Sequence, residues 1–220
     1  MSSIQMNTSD GAVKTQRQME KERRREQLLT AAARLFAARG FAAVSLDEIG
    51  AEVGVTGQAI YRHFESKQDM LGVLIGQASH FLLTRGGEIE AANGDTFERL
   101  RLLVDLQTEF ALSSSDIIRV QDRDLSSVEE AMQRDIRRMQ REFIDIWIRA
   151  MQQIHPQETT DQLVVRAHAV FGLINSTGHS FRSLAKRKQT DNFLSYLRYM
   201  LPEMAMQALY AAPGETNEEA

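Results

Sequence analysis

The sequence predicts an all-α protein: an N-terminal three-helix head of helix-turn-helix type followed by a larger helical body. Three observations carry that prediction. Apolar residues recur three and four places apart along most of the chain, the period of an α-helix face. A Ser, Thr or Asp stands ahead of most of these runs, usually with Glu, Gln or Asp three places later, the signature of a capped helix start. Only three prolines interrupt the 220 residues, and no strand pattern, internal repeat or long linker is visible.

Residues 1–20 carry few large apolar side chains and read as a disordered tail. A basic cluster (Lys14, Arg17, Lys21, Arg23, Arg24, Arg25) leads into the first helix, where Leu28, Ala32, Leu35 and Phe36 share one face. Gly40 is placed to end that helix in the left-handed conformation. Ser45 and Glu48 form the capping box of a short second helix with Ile49 and Val53 on its buried side. Gly54-Val55-Thr56 makes a tight turn, and Thr56 caps a third helix running from Gly57 to His63. Ser66 and Asp69 open a fourth. Helices this short do not stand alone, so Phe36, Phe41, Leu46, Ile49, Val53, Ile60 and Phe64 are expected to share a core.

In the body, Asp95 to Glu98 opens a helix with Leu102, Leu103, Leu106 and Phe110 on its apolar side. The segment 113–127 (SSSDIIRVQDRDLSS) is polar and reads as a loop holding one short turn of helix. Its Arg119, Asp122, Arg123 and Asp124 read as a solvated charge network, with an arginine meeting an anionic ligand head as the lesser alternative. Ser126 to Glu129 opens a long helix repeating Met132, Ile136, Met139, Phe143, Ile146 and Ala150. Thr159 to Gln162 opens the next, and Thr190 is expected to cap the last. Leu163 to Ile174 and Phe193 to Leu209 are apolar almost all round, so both need cover on two sides. A second copy of the chain is the expected cover, with Gly172 and Gly178 permitting close approach. The predicted organisation is a tail over 1–20, a head over 21–67, a body over 68–211 and a tail over 212–220.

Composition is that of an ordinary globular protein, 43% hydrophobic and 25% charged. The chain has no cysteine, which removes disulfides and thiolate metal sites and makes a reducing compartment the default. The polar N-terminus lacks a signal-peptide core and no apolar run approaches a membrane span, so a cytoplasmic, nucleoid-associated protein without a membrane partner is expected. The net charge of −4 is unevenly spread: through Lys67 there are ten Lys/Arg against eight Asp/Glu, and beyond it sixteen against twenty-two. A mildly basic head on an acidic body suits a protein in which only the head meets phosphate, though chance scatter of surface charge gives the same numbers.

Two short helices about 120° apart, joined by a Gly-containing turn, form the DNA-reading helix-turn-helix. The start of the second helix must be small or polar to approach base edges, and Thr56-Gly57-Gln58-Ala59 meets that demand. Gln58 has the fork to pair with adenine, and Arg62, one turn on, reaches guanine or phosphate. Tyr61, His63, Lys67 and Ser45 offer donors to phosphate oxygens. Core packing is the competing assignment for Tyr61 and the preferred one for Phe64, and the basic cluster before the first helix either wraps towards DNA or is merely solvated.

Residues 23–71, RRREQLLTAAARLFAARGFAAVSLDEIGAEVGVTGQAIYRHFESKQDML, closely resemble the DNA-binding domain of the TetR (tetracycline-repressor) family. The landmarks are the Ala-x-x-Leu-Phe run ending in Arg-Gly-Phe (Ala32 to Phe41), the Ser opening the second helix, the Gly-Val-Thr turn and Ile-Tyr-x-His-Phe-x-x-Lys. The resemblance implies that Ser45, Tyr61 and Lys67 hold phosphates while residues 57, 58 and 62 face bases. It further implies a ligand-responsive, dimerising C-terminal domain and a homodimer on double-stranded operator DNA, with the last two helices forming a four-helix bundle.

A mainly apolar effector is expected between the body helices, near Leu102, Leu106, Phe110, Met139, Phe143, Trp147, Phe171, Asn175 and His179. The aromatic members line a cavity or simply fill core. Asn175 and His179, with His168 on the same helix, are either a polar handle in a pocket or satisfied hydrogen-bonders at a packed interface. The stretch VQDRDL…RRMQREFIDIWI is similar to family members controlling fatty-acid, acyl-CoA or sterol breakdown, so a fatty acid, acyl-CoA or steroid is the effector class expected. No cofactor and no metal is expected, since no His pair has i, i+4 spacing and no carboxylate cluster joins one. Gly-rich phosphate loop, nucleophile elbow, His-Glu-x-x-His and cysteine nucleophile are all missing from the sequence, which speaks against an enzyme. The competing function is an architectural or cell-division DNA-binding protein on the same scaffold, without a small-molecule inducer.

Overall fold

The computed structural model describes residues 15–92, 94–185 and 191–212, the side chains of 178–185, 191 and 192 excepted. Thr190, expected as a cap, lies outside these residues, as do the side chain of His179 and the surroundings of Gly178. Among the described residues the chain is helical throughout and has no strand. The helices are α1 (Gln16–Arg39), α2 (Leu46–Glu52), α3 (Gly57–Ile60), α4 (Lys67–Ala91), α5 (Thr96–Ser113), α6 (Ser115–Asp124), α7 (Glu130–Gln152), α8 (Thr160–Ala185) and α9 (Asp191–Tyr210), with a 3-10 turn over Leu125–Ser127. No helix among them is long and apolar enough to cross a membrane.

Side-chain caps set most of these starts. Ser45 accepts from the Glu48 amide while the Glu48 carboxylate accepts from the Ser45 amide at 2.8 Å, closing the expected box. Thr56, Ser66, Asp95 and Thr159 cap their helices in the same positions as expected. Two starts differ. α1 begins at Gln16, inside the segment expected to be disordered, because Thr15 and Gln18 form a further capping box. α7 is capped by Glu129, whose carboxylate accepts from the Ala131 and Met132 amides, rather than by Ser126. Gly40 ends α1 at φ 91 and ψ 147, positive in φ but extended, and not the left-handed helical stop expected of it. The third helix is shorter than expected, ending at Ile60 in a run of turns.

The apolar side chains fall into two cores. One joins α1, α2 and α3 to the first turns of α4 and the start of α7, through Leu28, Phe36, Ile49, Ile60, Met70, Leu71, Ile75 and Ile136. The other lies among α5, α7, α8 and α9, around Leu100, Leu103, Phe143, Trp147, Met151, Leu163, Ile174 and Leu209. The head's core therefore runs past Lys67 into the body, and α4, packed along α7, is common to both parts.

The segment 113–127 is not a loop. It forms α6, a ten-residue amphipathic helix wedged against α1, and its apolar residues divide between the cores: Ile118 belongs to the body's and Val120 to the head's. Of its charges, Arg119, Asp122 and Arg123 are exposed, as a solvated network requires, but Asp124 is not. Asp124 is buried, accepts from the Phe41 amide at 3.2 Å and pairs with Arg123 at 2.9 Å, while Arg123 donates to the Phe36 carbonyl. The pair thus supplies the Phe41 amide with its acceptor and gives the Phe36 carbonyl, which already accepts from the Gly40 amide at 2.8 Å, a second donor, which is why charges are tolerated there.

α5 is rotated relative to the expected face. Its buried side carries Leu100, Leu103, Val104, Gln107, Thr108, Phe110 and Ala111, and Leu102 is 42% exposed. Six large aliphatic residues (Leu100, Leu102, Leu103, Val104, Leu106 and Leu112) cover more than half of this helix, so apolar periodicity alone left its orientation open.

Candidate nucleic-acid interface

α2 and α3 cross closely because two positions lack a side chain. A Cβ on Gly50 would meet the Val55 carbonyl oxygen at 2.5 Å, and one on Gly57 would meet the Asp47 carboxylate and the Asp47 amide nitrogen, the latter at 3.0 Å. Gly57 is accordingly buried against α2 and presents nothing outward, contrary to the expectation that residue 57 faces bases. Thr56, Gln58 and Arg62 are exposed, Ala59 is half-buried, and the Tyr61 ring is 60% exposed, which removes core packing as its role. Phe64 is buried, as expected.

The flanking polar residues are already engaged. Lys67 donates to the Phe41 carbonyl at 3.0 Å and the Val44 carbonyl at 2.8 Å, with its ammonium 4.4 Å from the centre of the Phe41 ring. It clamps the loop that delivers Ser45 to the surface, and an ammonium has three protons, so one donor remains for an oxygen from outside. The Ser45 hydroxyl donates to Glu48 at 2.9 Å, and Glu48 is paired with Arg39 at 2.6 Å. The Ser45 amide, then the Arg39 guanidinium, hold the Glu48 carboxyl down to about 2, so the box stays charged over the whole working range of pH. Burial, followed by the surrounding charges of Lys21, Arg25, Arg24 and Arg62, pushes the His63 imidazole below its ordinary 6.5, and its Nδ1 has no partner. In the free chain His63 is therefore a neutral side chain within a ring of cations.

The expected effector residues do not form one group. Phe143, Trp147 and Phe171 pack as an aromatic trio with ring centres 4.9 to 6.3 Å apart, and the edge of His168 meets Phe171. Asn175 accepts a hydrogen bond from Gln107 at 2.9 Å. Phe110 is buried and Leu106 half-buried at the same core. Leu102 instead borders a small surface hollow with Ile89, Glu98 and Arg99, and Met139 packs against the head's core. Sequence reasoning passed over Gln107 and Thr108, two polar residues on the buried side of α5, where the signal was their position beside Leu103 and Val104. An open groove of about 450 Å³ between α4 and α7 has Glu90, Glu142, Asp145 and Arg149 in its walls, a lining that does not suit an apolar molecule.

Comparison with known proteins agrees with this geometry. Residues 28–74 match the model of the bacterial regulatory proteins of the tetR family. Over 185 residues the chain is 28% identical to the nucleoid occlusion factor SlmA of Vibrio vulnificus, covering 80% of this chain and 93% of that protein. Its fold is that of a TetR-family transcriptional regulator from Bordetella parapertussis (TM-score 0.73, 23% identity, 86% of this chain and 94% of that one). The fatty-acid regulator FadR of Bacillus subtilis, solved with stearoyl-CoA, shares the fold at a TM-score of 0.60 and 17% identity, over 83% of this chain and 98% of that one. The reading helix is exposed, its flanks are cationic and residues 28–74 match the tetR-family model, so the chain carries a TetR-type DNA-binding head on a body that shares the fold of TetR-family regulators.

Proposed function

We propose that this protein is a ligand-responsive repressor: a homodimer that holds a near-palindromic operator and lets go when a mainly apolar molecule enters the body. The observation that carries this reading is a set of three orphaned polar atoms in an otherwise apolar core: Gln107 Oε1, Thr108 Oγ1 and Trp147 Nε1 are buried without a hydrogen-bond partner. Each costs about 1–3 kcal/mol to leave unmade, so a guest that offers a carbonyl or hydroxyl among its hydrocarbon recovers free energy on entry. Four arginines of this region are committed to carboxylates, Arg101 to Glu203, Arg149 to Glu90, Arg166 to Glu158 and Arg198 to Glu109, while Arg99 donates to the Gly94 carbonyl at the outer end of α5. Of the three effector classes, a neutral steroid-like molecule therefore suits the core better than a fatty acid or an acyl-CoA. The guest's effect reaches the head through α6, which has one apolar foot in each core and binds the end of α1 through Arg123 and Asp124.

In this reading Ser45, Tyr61 and Lys67 hold phosphates and Gln58 and Arg62 read bases from two successive major grooves, with half-sites about 34–36 Å apart or a multiple of that. The dimer forms through the outer faces of α8 and α9, where Val165, Tyr196, Tyr199 and Met204 are exposed at 46 to 70%. Apolar patches of that kind are rarely left open by soluble monomers. Light scattering on wild type and Phe193→Asp tests it: a wild-type monomer at micromolar concentration rejects the dimer, and an intact Phe193→Asp dimer moves the interface elsewhere. A thermal-shift screen against steroids, fatty acids and acyl-CoAs, followed by operator release with any hit, tests the effector. A flat response in every class overturns the ligand-responsive reading.

A second reading is favoured by the similarity over 93% of a relative named as a nucleoid occlusion factor. Under it the chain is an architectural or cell-division protein that binds many sites and has no inducer. Mapping binding sites across the genome separates the two: a repressor occupies one or a few operators beside the genes it controls, and the architectural protein is spread over many.

A further inference from the structure

We propose that the N-terminal turns of α1, which project beyond the helix-turn-helix, are a second grip on DNA phosphates flanking the base-reading groove. This rests on the DNA-binding reading and adds residues to it. α1 starts at Gln16, yet its first buried residue is Leu28, and residues 15–23 are all exposed. Those turns contribute nothing to the core, so packing does not explain why they are helical.

The helix sorts their charges. At about 100° per residue, Arg17, Lys21, Arg24 and Arg25 all lie within about 60° of the direction in which Leu28 points, while Glu22 and Glu26 lie more than about 100° away. Leu28 is fully buried in the head's core, so the basic ridge extends the face that looks onto α2 and α3. Two contacts fix that direction. Arg24 donates to the Val53 carbonyl at the end of α2 at 3.0 Å, and the Arg25 guanidinium lies 4.9 Å from the centre of the Phe64 ring, just after α3.

The ridge meets the reading helix electrostatically. Lys21, Arg24 and Arg25 from α1 and Arg62 from the end of α3 all act on His63, each disfavouring a charge there. Among the described residues neither Arg17 nor Lys21 has a carboxylate partner, whereas Arg23, on the opposite side of α1, faces Glu20 at 3.8 Å. Like charges held together without counter-charges repel one another in the free chain, and a line of phosphates relieves that repulsion. A duplex whose bases meet Gln58 and Arg62 presents such a line beside its groove, so the partner that fits the ridge is the DNA already engaged by α3.

The test uses the full-length chain as Arg17→Ala/Lys21→Ala, with Arg23→Ala as the control that removes a charge from the other side of the same helix. Binding is followed by fluorescence anisotropy at several salt concentrations. The probes are a duplex selected by wild type from a random pool and an arbitrary duplex of the same length. Each lost phosphate contact lowers the salt slope by about 0.9, so a dimer losing two per head should lose about 3–4 units. The affinity loss should be the same factor on both duplexes, and the Arg23→Ala slope should stay near wild type. Arg17→Lys/Lys21→Arg should restore the slope, and circular dichroism of the double variant confirms that the head is folded. An unchanged slope in the double variant, or a loss equalled by Arg23→Ala, overturns the ridge alone. A change in base preference overturns it too, because phosphates carry no sequence. If the wild type binds no duplex, the DNA-binding reading and the ridge fall together.

Discussion

Replacing Gly50 with alanine probes the feature on which the reading head most depends, the contact between α2 and the turn before α3. The added Cβ would sit 2.5 Å from the Val55 carbonyl oxygen, where ordinary contact begins at 3.4 Å. The obstacle is backbone, with the Gly57 nitrogen and the Thr56 carbonyl carbon both at 3.1 Å behind it, so no side chain can swing aside. The turn must retreat by roughly 0.9 Å, further than a hydrogen bond tolerates without loss. Overpacking of this kind costs about 1–3 kcal/mol, and alanine's better helix propensity returns up to about 1 kcal/mol. The net loss of about 1–2 kcal/mol lowers the melting temperature of a chain this size by about 2–8 °C. Because the same retreat displaces Thr56, Gln58 and Arg62 together, operator affinity should fall at least about tenfold, equivalent to about 1.4 kcal/mol. Gly87→Ala is the control: a Cβ there meets nothing within 4 Å, so the substitution should leave the melting temperature unchanged or raise it. Calorimetry on both variants and an anisotropy titration on the selected duplex make the measurement. A Gly50→Ala protein that melts at or above the wild-type temperature and binds the duplex equally well would falsify the claim that this approach sets the reading geometry.

Other substitutions separate the roles of the remaining residues. Asp124→Ala leaves the Phe41 amide without its acceptor and Arg123 without its carboxylate; discounting for the partial exposure of Arg123, it should cost about 1–3 kcal/mol in a urea melt, and a loss under about 0.5 kcal/mol rejects the latch. Lys67→Ala should lower both the melting temperature and the affinity for every duplex, since its ammonium also clamps the loop before α2; an unchanged melt would deny that clamp. Gln58→Ala should relax preference at one or two base pairs by about 1–3 kcal/mol each, and unaltered preferences in a single-base panel mean that the reading face is rotated. His63 is held below 6.5 by burial and its cationic neighbours, so the folded head binds fewer protons than the unfolded one and loses stability as pH falls below that value. Phosphates near it would draw its pKa back up, so duplex affinity should rise from pH 7 to pH 6, and His63→Gln should flatten the rise; an equal rise in the variant assigns the effect elsewhere.

The head was legible because its information is local. Ser45 with Glu48, Thr56 with Ala59 and Ser66 with Asp69 lie three residues apart, and each sets one helix start by itself. What stayed hidden depends on distant partners. Nothing near Arg123 and Asp124 in sequence shows that the Phe36 carbonyl and the Phe41 amide, more than 80 residues away, will meet them, so DIIRVQDRD read as solvated loop. Gly57 was misassigned for a related reason: its neighbours face outward, and only the position of Asp47 turns it in. The effector residues were legible only in part, because Leu102 and Leu103 are equally apolar and the buried Gln107 and Thr108 break the pattern that would have fixed the face of α5.

The seating of α6 bears on how such regulators can diversify. A reading head cut at Lys67 and moved to another body would leave behind Met70, Leu71 and Ile75, and would bring the end of α1 without the carboxylate that accepts from the Phe41 amide. Recombination between relatives would then yield working chimaeras only when the crossover carries this helix with the head, or when the recipient already offers an acidic residue at the matching place. If Gln58 and Arg62 read bases as proposed, new DNA specificities should arise here by point changes at those two positions more readily than by exchange of whole heads.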